Sequence, residues 1–160
     1  MAKQKLSIQV LTELQWEHDC SGTKMPKDYV PKRLFTDKTA NGLTKCVIAW
    51  LSLNGWQAER ISNTGRWIDD SKIVTDVMGH RKKIGSGKYI PGTGTKGTSD
   101  ISSIIKGRSV KIEIKIGKDK QSESQKKYES DVIKSGGIYL IVTDFDQFMM
   151  WYKSFIESII

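Results

Sequence analysis

The sequence predicts a mixed α/β domain built around a small central sheet. Three observations carry that expectation. Apolar residues recur at offsets of three and four across residues 39–53, the mark of an amphipathic helix. Two β patterns, at 100–105 and 109–116, are joined through the turn signal Lys106-Gly107-Arg108. A capped helix, a continuous apolar strand and a second amphipathic helix then follow in order.

Residues 1–35 read as an N-terminal appendage to a domain spanning 36–160, with no repeat and no second domain. Within the appendage Leu6, Val10, Leu11 and Leu14 fall on one helical face. The basic stretch 24–33 is broken by Pro26 and Pro31. Over 39–53, Leu43, Val47, Trp50 and Leu51 form the apolar stripe, Asn41 is the expected N-cap, and Asn54-Gly55 ends the helix. Residues 56–62 read as a strand turned by Asn63-Thr64-Gly65. Residues 65–98 are rich in Gly and Lys and read as a long basic loop with a short helix around 73–78.

The string Gly92-Thr-Gly94-Thr-Lys96-Gly97 matches G-x-G-x-x-G, but Pro91 precedes it and a strand pattern follows. A dinucleotide fingerprint needs a strand before and a helix after, so this one is rejected, as is a P-loop. In the next hairpin Val110, Ile112, Ile114 and Ile116 alternate strictly with Lys111, Glu113 and Lys115. Ser122 and Gln125 have the spacing of a capping box for a helix running to about residue 134. Residues 138–142 form an apolar strand expected to be buried in the sheet. Phe148, Tyr152, Phe155, Ile156 and Ile159 mark a final helix starting near Asp146.

The chain has 160 residues, with 26 Lys plus Arg against 18 Asp plus Glu, a formal net charge of +8. That excess favours polyanions as partners, nucleic acid first among them. Cys20 and Cys46 are too few for a disulfide framework, and with His18 and His80 they lack the close spacing of a structural zinc site. Residues 1–11 have no signal-peptide core, and no stretch reaches the ~20 apolar residues of a membrane span. The expected setting is the cytoplasm. Among the tryptophans, Trp50 and Trp56 are expected in the core, and Trp67 is expected to pack rather than stack a base.

The hairpin brings the chemistry together. A two-residue turn at Gly107-Arg108 pairs Asp100 with Lys115, and one at Lys106-Gly107 pairs it with Glu113. In either register Asp100 shares a face with Glu113 and Lys115, because strand side chains alternate with period two. Opposed residues lie with Cβ atoms ~5 Å apart. Two carboxylates held so close repel, and a shared divalent cation relieves the repulsion; oxygen ligands favour Mg²⁺ or Mn²⁺ over zinc. A lysine alongside completes a Lewis acid, nucleophile and anion-stabiliser set suited to phosphodiester hydrolysis. An E-x-K strand alone is a common solvated pattern, so the weight falls on the combination.

With Gly97-Thr-Ser-Asp100-Ile, Val110-Lys-Ile-Glu113-Ile-Lys115, Gln125-Lys-Lys-Tyr128 and Gly136-Gly-Ile-Tyr139 in order, the sequence resembles the PD-(D/E)xK nuclease superfamily. Within it the motifs look most like the VRR-NUC and phage Holliday-junction-resolvase-like nucleases, over residues 40–148. The resemblance implies a restriction-endonuclease-like fold, a small mixed sheet flanked by helices. It implies Asp100, Glu113 and the backbone carbonyl of Ile114 as metal ligands, Lys115 as the catalytic lysine and Gln125 as its accessory. Arg60, Asn63, Lys96, Lys118 and Tyr128 are the candidate nucleic-acid contacts. Two departures stand out: Ser99 replaces the proline of the family name, and the helix over 39–53 carries no acid.

The expected function is therefore a Mg²⁺-dependent endonuclease acting on duplex or branched DNA, in a bacterial or phage-infected cell. Cutting both strands of a junction fits a homodimer. The alternatives are a non-catalytic nucleic-acid-binding module with a nuclease-like fold, or a scaffold whose charged hairpin face is merely solvated.

Overall fold

The computed structural model describes residues 5–62, 65–92 and 94–159. Two compact units divide them: residues 1–61 with 97–160, and the excursion 62–96. The N-terminal helix α1 (Leu6–Ser21) belongs to the first unit and buries Ile8 and Leu11 in its core.

Of the four residues expected on the buried face of α1, Leu11 alone turns into the core. Leu6, Val10 and Leu14 are exposed, while Ile8, Leu11 and Gln15 turn inward. Both triplets have helical spacing, and packing on α2 and α4 selects the second.

In α2 (Ala40–Leu53) the cap is Thr39, whose extended backbone lets its side chain accept the Gly42 amide at 3.1 Å. Asn41, the cap read from the sequence, lies in the first turn. Leu43, Cys46, Val47 and Leu51 supply the buried stripe. Burying each Leu or Val stabilises by roughly 1.5–3 kcal/mol.

The first unit holds a four-stranded mixed sheet in the order β1 (Gln57–Arg60), β6 (Ile101–Ile105), β7 (Arg108–Ile114), β8 (Ile138–Val142). The β1–β6 and β6–β7 pairs are antiparallel and β7–β8 is parallel, linked by α3 (Glu123–Lys134). Ile101, Ile105, Val110, Ile112, Ile114 and Val142 line one face, covered by α2 and by α4 (Phe145–Glu157), with α1 packed on both helices. Helix α3 packs on β8 and presents Gln125 and Tyr128 to the opposite face. β8, read as a buried strand, is an edge of the described sheet and mostly half-buried. Trp50 and Trp56 pack on the core as expected, with Trp56 Nε1 donating to the Tyr152 hydroxyl at 2.8 Å.

The second unit overturns the reading of a loop with a short helix. It contains β2 (Arg66–Asp69), β3 (Lys72–Thr75), β4 (Arg81–Ile84) and β5 (Gly87–Ile90), paired β2–β5 and β3–β4. Its strands are mostly exposed on both faces, so no apolar alternation betrays them. The β-branched run Ile73-Val74-Thr75 favours strand over helix. Trp67, expected to pack, is 67% exposed. No described helix is long and apolar enough to cross a membrane.

Candidate active site

The β6–β7 turn decides the register. Lys106 and Gly107 both take positive φ, 50° and 75°, the signature of a two-residue type I′ turn. Ile105 therefore pairs with Arg108 and Ile101 with Ile112. One residue further along the ladder, Asp100 stands opposite Glu113. Of the two registers open to the sequence, the turn at Lys106-Gly107 is the one formed.

Asp100 is fixed by its backbone and by one carboxylate oxygen. Its carbonyl accepts the Ile61 amide at 2.8 Å, and Oδ2 accepts the Ile114 amide at 2.9 Å. Ser99 is buried, and its hydroxyl donates to the Ile101 carbonyl at 3.1 Å. Lys115 N–H is spent on the Val142 carbonyl. Backbone groups of successive strand residues point to opposite sides, so the N–H and carbonyl of Ile114 both face the Asp100 side.

Glu113 is 1% exposed and Lys115 8%. Lys115 Nζ lies 3.1 Å from Glu113 Oε1, 3.1 Å from Gln125 Oε1 and 3.3 Å from Asp119 Oδ2. Gln125 Nε2 donates to the same Glu113 oxygen, and the Tyr139 hydroxyl donates to Glu113 Oε2 at 3.4 Å. The amide of Gln125 is oriented by its helix: Ser122 and Gln125 form the expected capping box, Ser122 N–H donating to Oε1 at 2.9 Å. With its oxygen facing two donors, the nitrogen must face the carboxylate.

Burial, and after it the charge of Asp100, push the Glu113 carboxyl above its ordinary range, against the opposing hydrogen bond and charge of Lys115. Burial works against the charge on Lys115 too, yet the hydrogen bonds and charges of Glu113 and Asp119 outweigh it and raise the amine above its usual value. Lys115 is an ammonium at neutral pH. Burial and the Glu113 charge likewise raise the Tyr139 phenol, keeping it a protonated donor.

Oxygen acceptors remain on both acids. A carboxylate offers about four acceptor positions. Glu113 spends three on Gln125, Lys115 and Tyr139, and Asp100 one on Ile114. Among the described residues no group of three or more His, Cys, Asp or Glu side chains is placed to hold a metal. The available donor set is two carboxylates and the Ile114 carbonyl, which suits a hard cation that keeps several waters.

Arg60 pairs with Ile101 on the face lined by the core, and its Nη1 donates to Asn41 Oδ1 at 2.7 Å, so it is not brought to the acids. Lys118 is exposed on the turn after β7. Tyr128 meets Tyr139 edge-on, with ring centroids 6.3 Å apart. Lys96 is exposed and belongs to the second unit, and Asn63 lies outside the described residues.

Three residues escaped the sequence reading. Asp119 binds Lys115, Tyr139 binds Glu113, and Glu59 shares the acidic face through the ladder Glu59–Ser102–Lys111–Tyr139. Tyr139 stood within a quoted motif, and the strand alternation of 57–60 could have flagged Glu59. Asp119 carried no signal, because only the turn at Gly117 (φ 63°) brings it back. No protein-family model, curated protein or solved structure significantly matches the chain.

Proposed function

We propose that this chain is a divalent-metal-dependent nuclease of the PD-(D/E)xK type, with a restriction-endonuclease-like fold, hydrolysing phosphodiester bonds in DNA. The observation that carries the reading is the convergence of Asp100, Glu113, Lys115 and Gln125 on one face of the sheet, three of them in a single hydrogen-bonded cluster. The mixed sheet with flanking helices and the net charge of +8 support it.

Asp100, Glu113 and the Ile114 carbonyl would hold Mg²⁺, with Mn²⁺ as a substitute. Bound there, the ion supplies a Lewis acid for a phosphoryl oxygen and makes water a better nucleophile. Lys115, already an ammonium, steadies negative charge building on the phosphate. Gln125 holds Lys115 and Glu113 in register, so neither pays for reorientation as charge develops. Asp119 anchors the lysine from the solvent side.

The substrate in this reading is duplex or branched DNA, and paired cuts at a junction would use a homodimer with one site per strand. The test is cleavage of labelled duplex, single-stranded, flapped and four-way junction DNA with and without Mg²⁺. Asp100→Ala, Glu113→Ala and Lys115→Ala should each abolish cutting while DNA binding persists. Unchanged cutting by all three would refute the site. Tight binding with no cutting of any substrate would leave a nucleic-acid-binding module instead.

A further inference from the structure

The excursion from Arg66 to Ile90 has a shape and chemistry of its own. Its two ladders share one register: Asp69 opposes Gly87 and Lys72 opposes Ile84, so β2–β3 and β4–β5 are the two arms of one interrupted hairpin. At ~3.3 Å per residue each arm is roughly 30 Å long. None of the described residues from 65 to 92 is buried. An isolated two-stranded ribbon is marginally stable in water, so this one gains most from a surface that covers it.

The ribbon is basic on both faces. Arg81 and Lys83 pair with Thr75 and Ile73, while Lys82 and Lys72 lie at the alternate positions and point the other way. The side chains of Arg66, Lys72, Arg81, Lys82 and Lys88 make no hydrogen bond or ion pair among the described residues, whereas Lys83 is paired with Asp69 at 3.0 Å. The tip is built differently. Asp76 Oδ1 accepts the amides of Met78 and His80, each at 2.9 Å, which fixes a tight turn. That turn holds Val77 and Met78 out, 104% and 77% exposed.

We propose that residues 66–90 form an arm that enters a groove of duplex nucleic acid. A groove has a phosphate wall on each side, which matches cations on both faces, and it is wide enough for a two-stranded ribbon. A planar anionic surface would use the cations of one face only. Inside a groove of that width the apolar tip meets base-pair edges, where apolar side chains contact thymine methyl groups. The inference rests partly on the reading of this chain as a nuclease, so its test is binding without metal.

The measurement is fluorescence anisotropy of a labelled duplex with the full chain in EDTA across a range of KCl. The triple variant Arg81→Ala, Lys82→Ala, Lys83→Ala should bind at least ~10-fold more weakly, with the slope of log Kd against log salt shallower by roughly two. The double variant Val77→Ser, Met78→Ser should weaken binding several-fold with the slope unchanged. A folded triple variant with wild-type affinity and slope overturns the arm, even if Mg²⁺-dependent cutting is normal. Wild-type preference for phosphatidylserine vesicles over duplex also overturns it. Duplex bound through the ribbon but never cut upholds the arm and defeats the nuclease reading.

Discussion

Gln125 Oε1 accepts the Lys115 ammonium at 3.1 Å while its amide nitrogen donates to Glu113. One side chain therefore spans Lys115 and Glu113, and it does so from a helix cap. Its oxygen is shared with the Ser122 amide, so cap geometry and site geometry are the same geometry. Gln125→Ala should lower cleavage by about 10–100-fold by releasing Lys115. Ser122→Ala, which touches neither acid, should cost about 1 kcal/mol of stability and lower kcat more than it raises KM. Denaturant unfolding and steady-state kinetics on the two variants check this, and a Ser122→Ala enzyme with normal kcat would separate cap from site.

Asp100 and Glu113 oppose each other with capacity to accept a cation, so metal should stabilise the fold. At 100-fold excess over its dissociation constant Mg²⁺ or Mn²⁺ should add about 2.7 kcal/mol. For a chain of this size that is a rise in Tm of roughly 5–10 °C. Asp100→Ala and Glu113→Ala should show little or no rise. Thermal unfolding with and without metal reads it directly.

Gly97 takes φ 81°, and a Cβ there would run into the backbone of Ser124 and Gln125. Gly97→Ala meets both penalties, a left-handed backbone and a collision with the first turn of α3. The expected loss is at least about 1–3 kcal/mol, with reduced cleavage because the collision displaces Gln125. Unfolding free energy and activity should fall together.

Cys46 is fully buried, and burial first of all pushes its thiol up to about 12. Cys20 is half-exposed. In the folded protein at neutral pH a thiol reagent should therefore label one cysteine, Cys20, with Cys46 reacting only on unfolding. Peptide mapping after alkylation decides it.

Asp37 ties the start of α1 to the start of α4, with Lys5 Nζ at 2.9 Å and the Phe145 amide at 3.3 Å. Burial opposes ionisation, but the Lys5 hydrogen bond, the Phe145 amide and the Lys5 charge together hold Asp37 below its usual 3.8. A depressed carboxylate stabilises the fold above its unfolded pKa and loses that contribution as pH falls through the folded value. Asp37→Asn should thus be destabilised by about 1 kcal/mol at pH 7, the difference closing below about pH 4. Unfolding curves from pH 7 to pH 3 provide the check.

The site was more legible than the chain around it. Strict alternation across 109–116 announced which residues share a face with Glu113, and the Ser122–Gln125 spacing announced the cap. The helical periods of residues 39–53 and 148–156 were equally plain, because one-sided burial writes a period into the apolar residues. The ribbon of residues 66–90 was illegible for the converse reason. With solvent on both sides, its strands have no inside to mark, and Gly with Lys read as loop. α1 was ambiguous in another way, since it carries two apolar stripes and local sequence cannot choose between them.

By itself, then, the sequence determined the order of elements in the sheet-bearing unit and which residues of the β7 arm share a face with Glu113, since both follow from local periodicity. Tertiary structure decided the hairpin register, the buried stripe of α1, and the return of Asp119 and Tyr139 to the Lys115–Glu113 pair. Those depend on turn dihedrals and on contacts between residues distant in the chain, and neither leaves a repeating pattern along it.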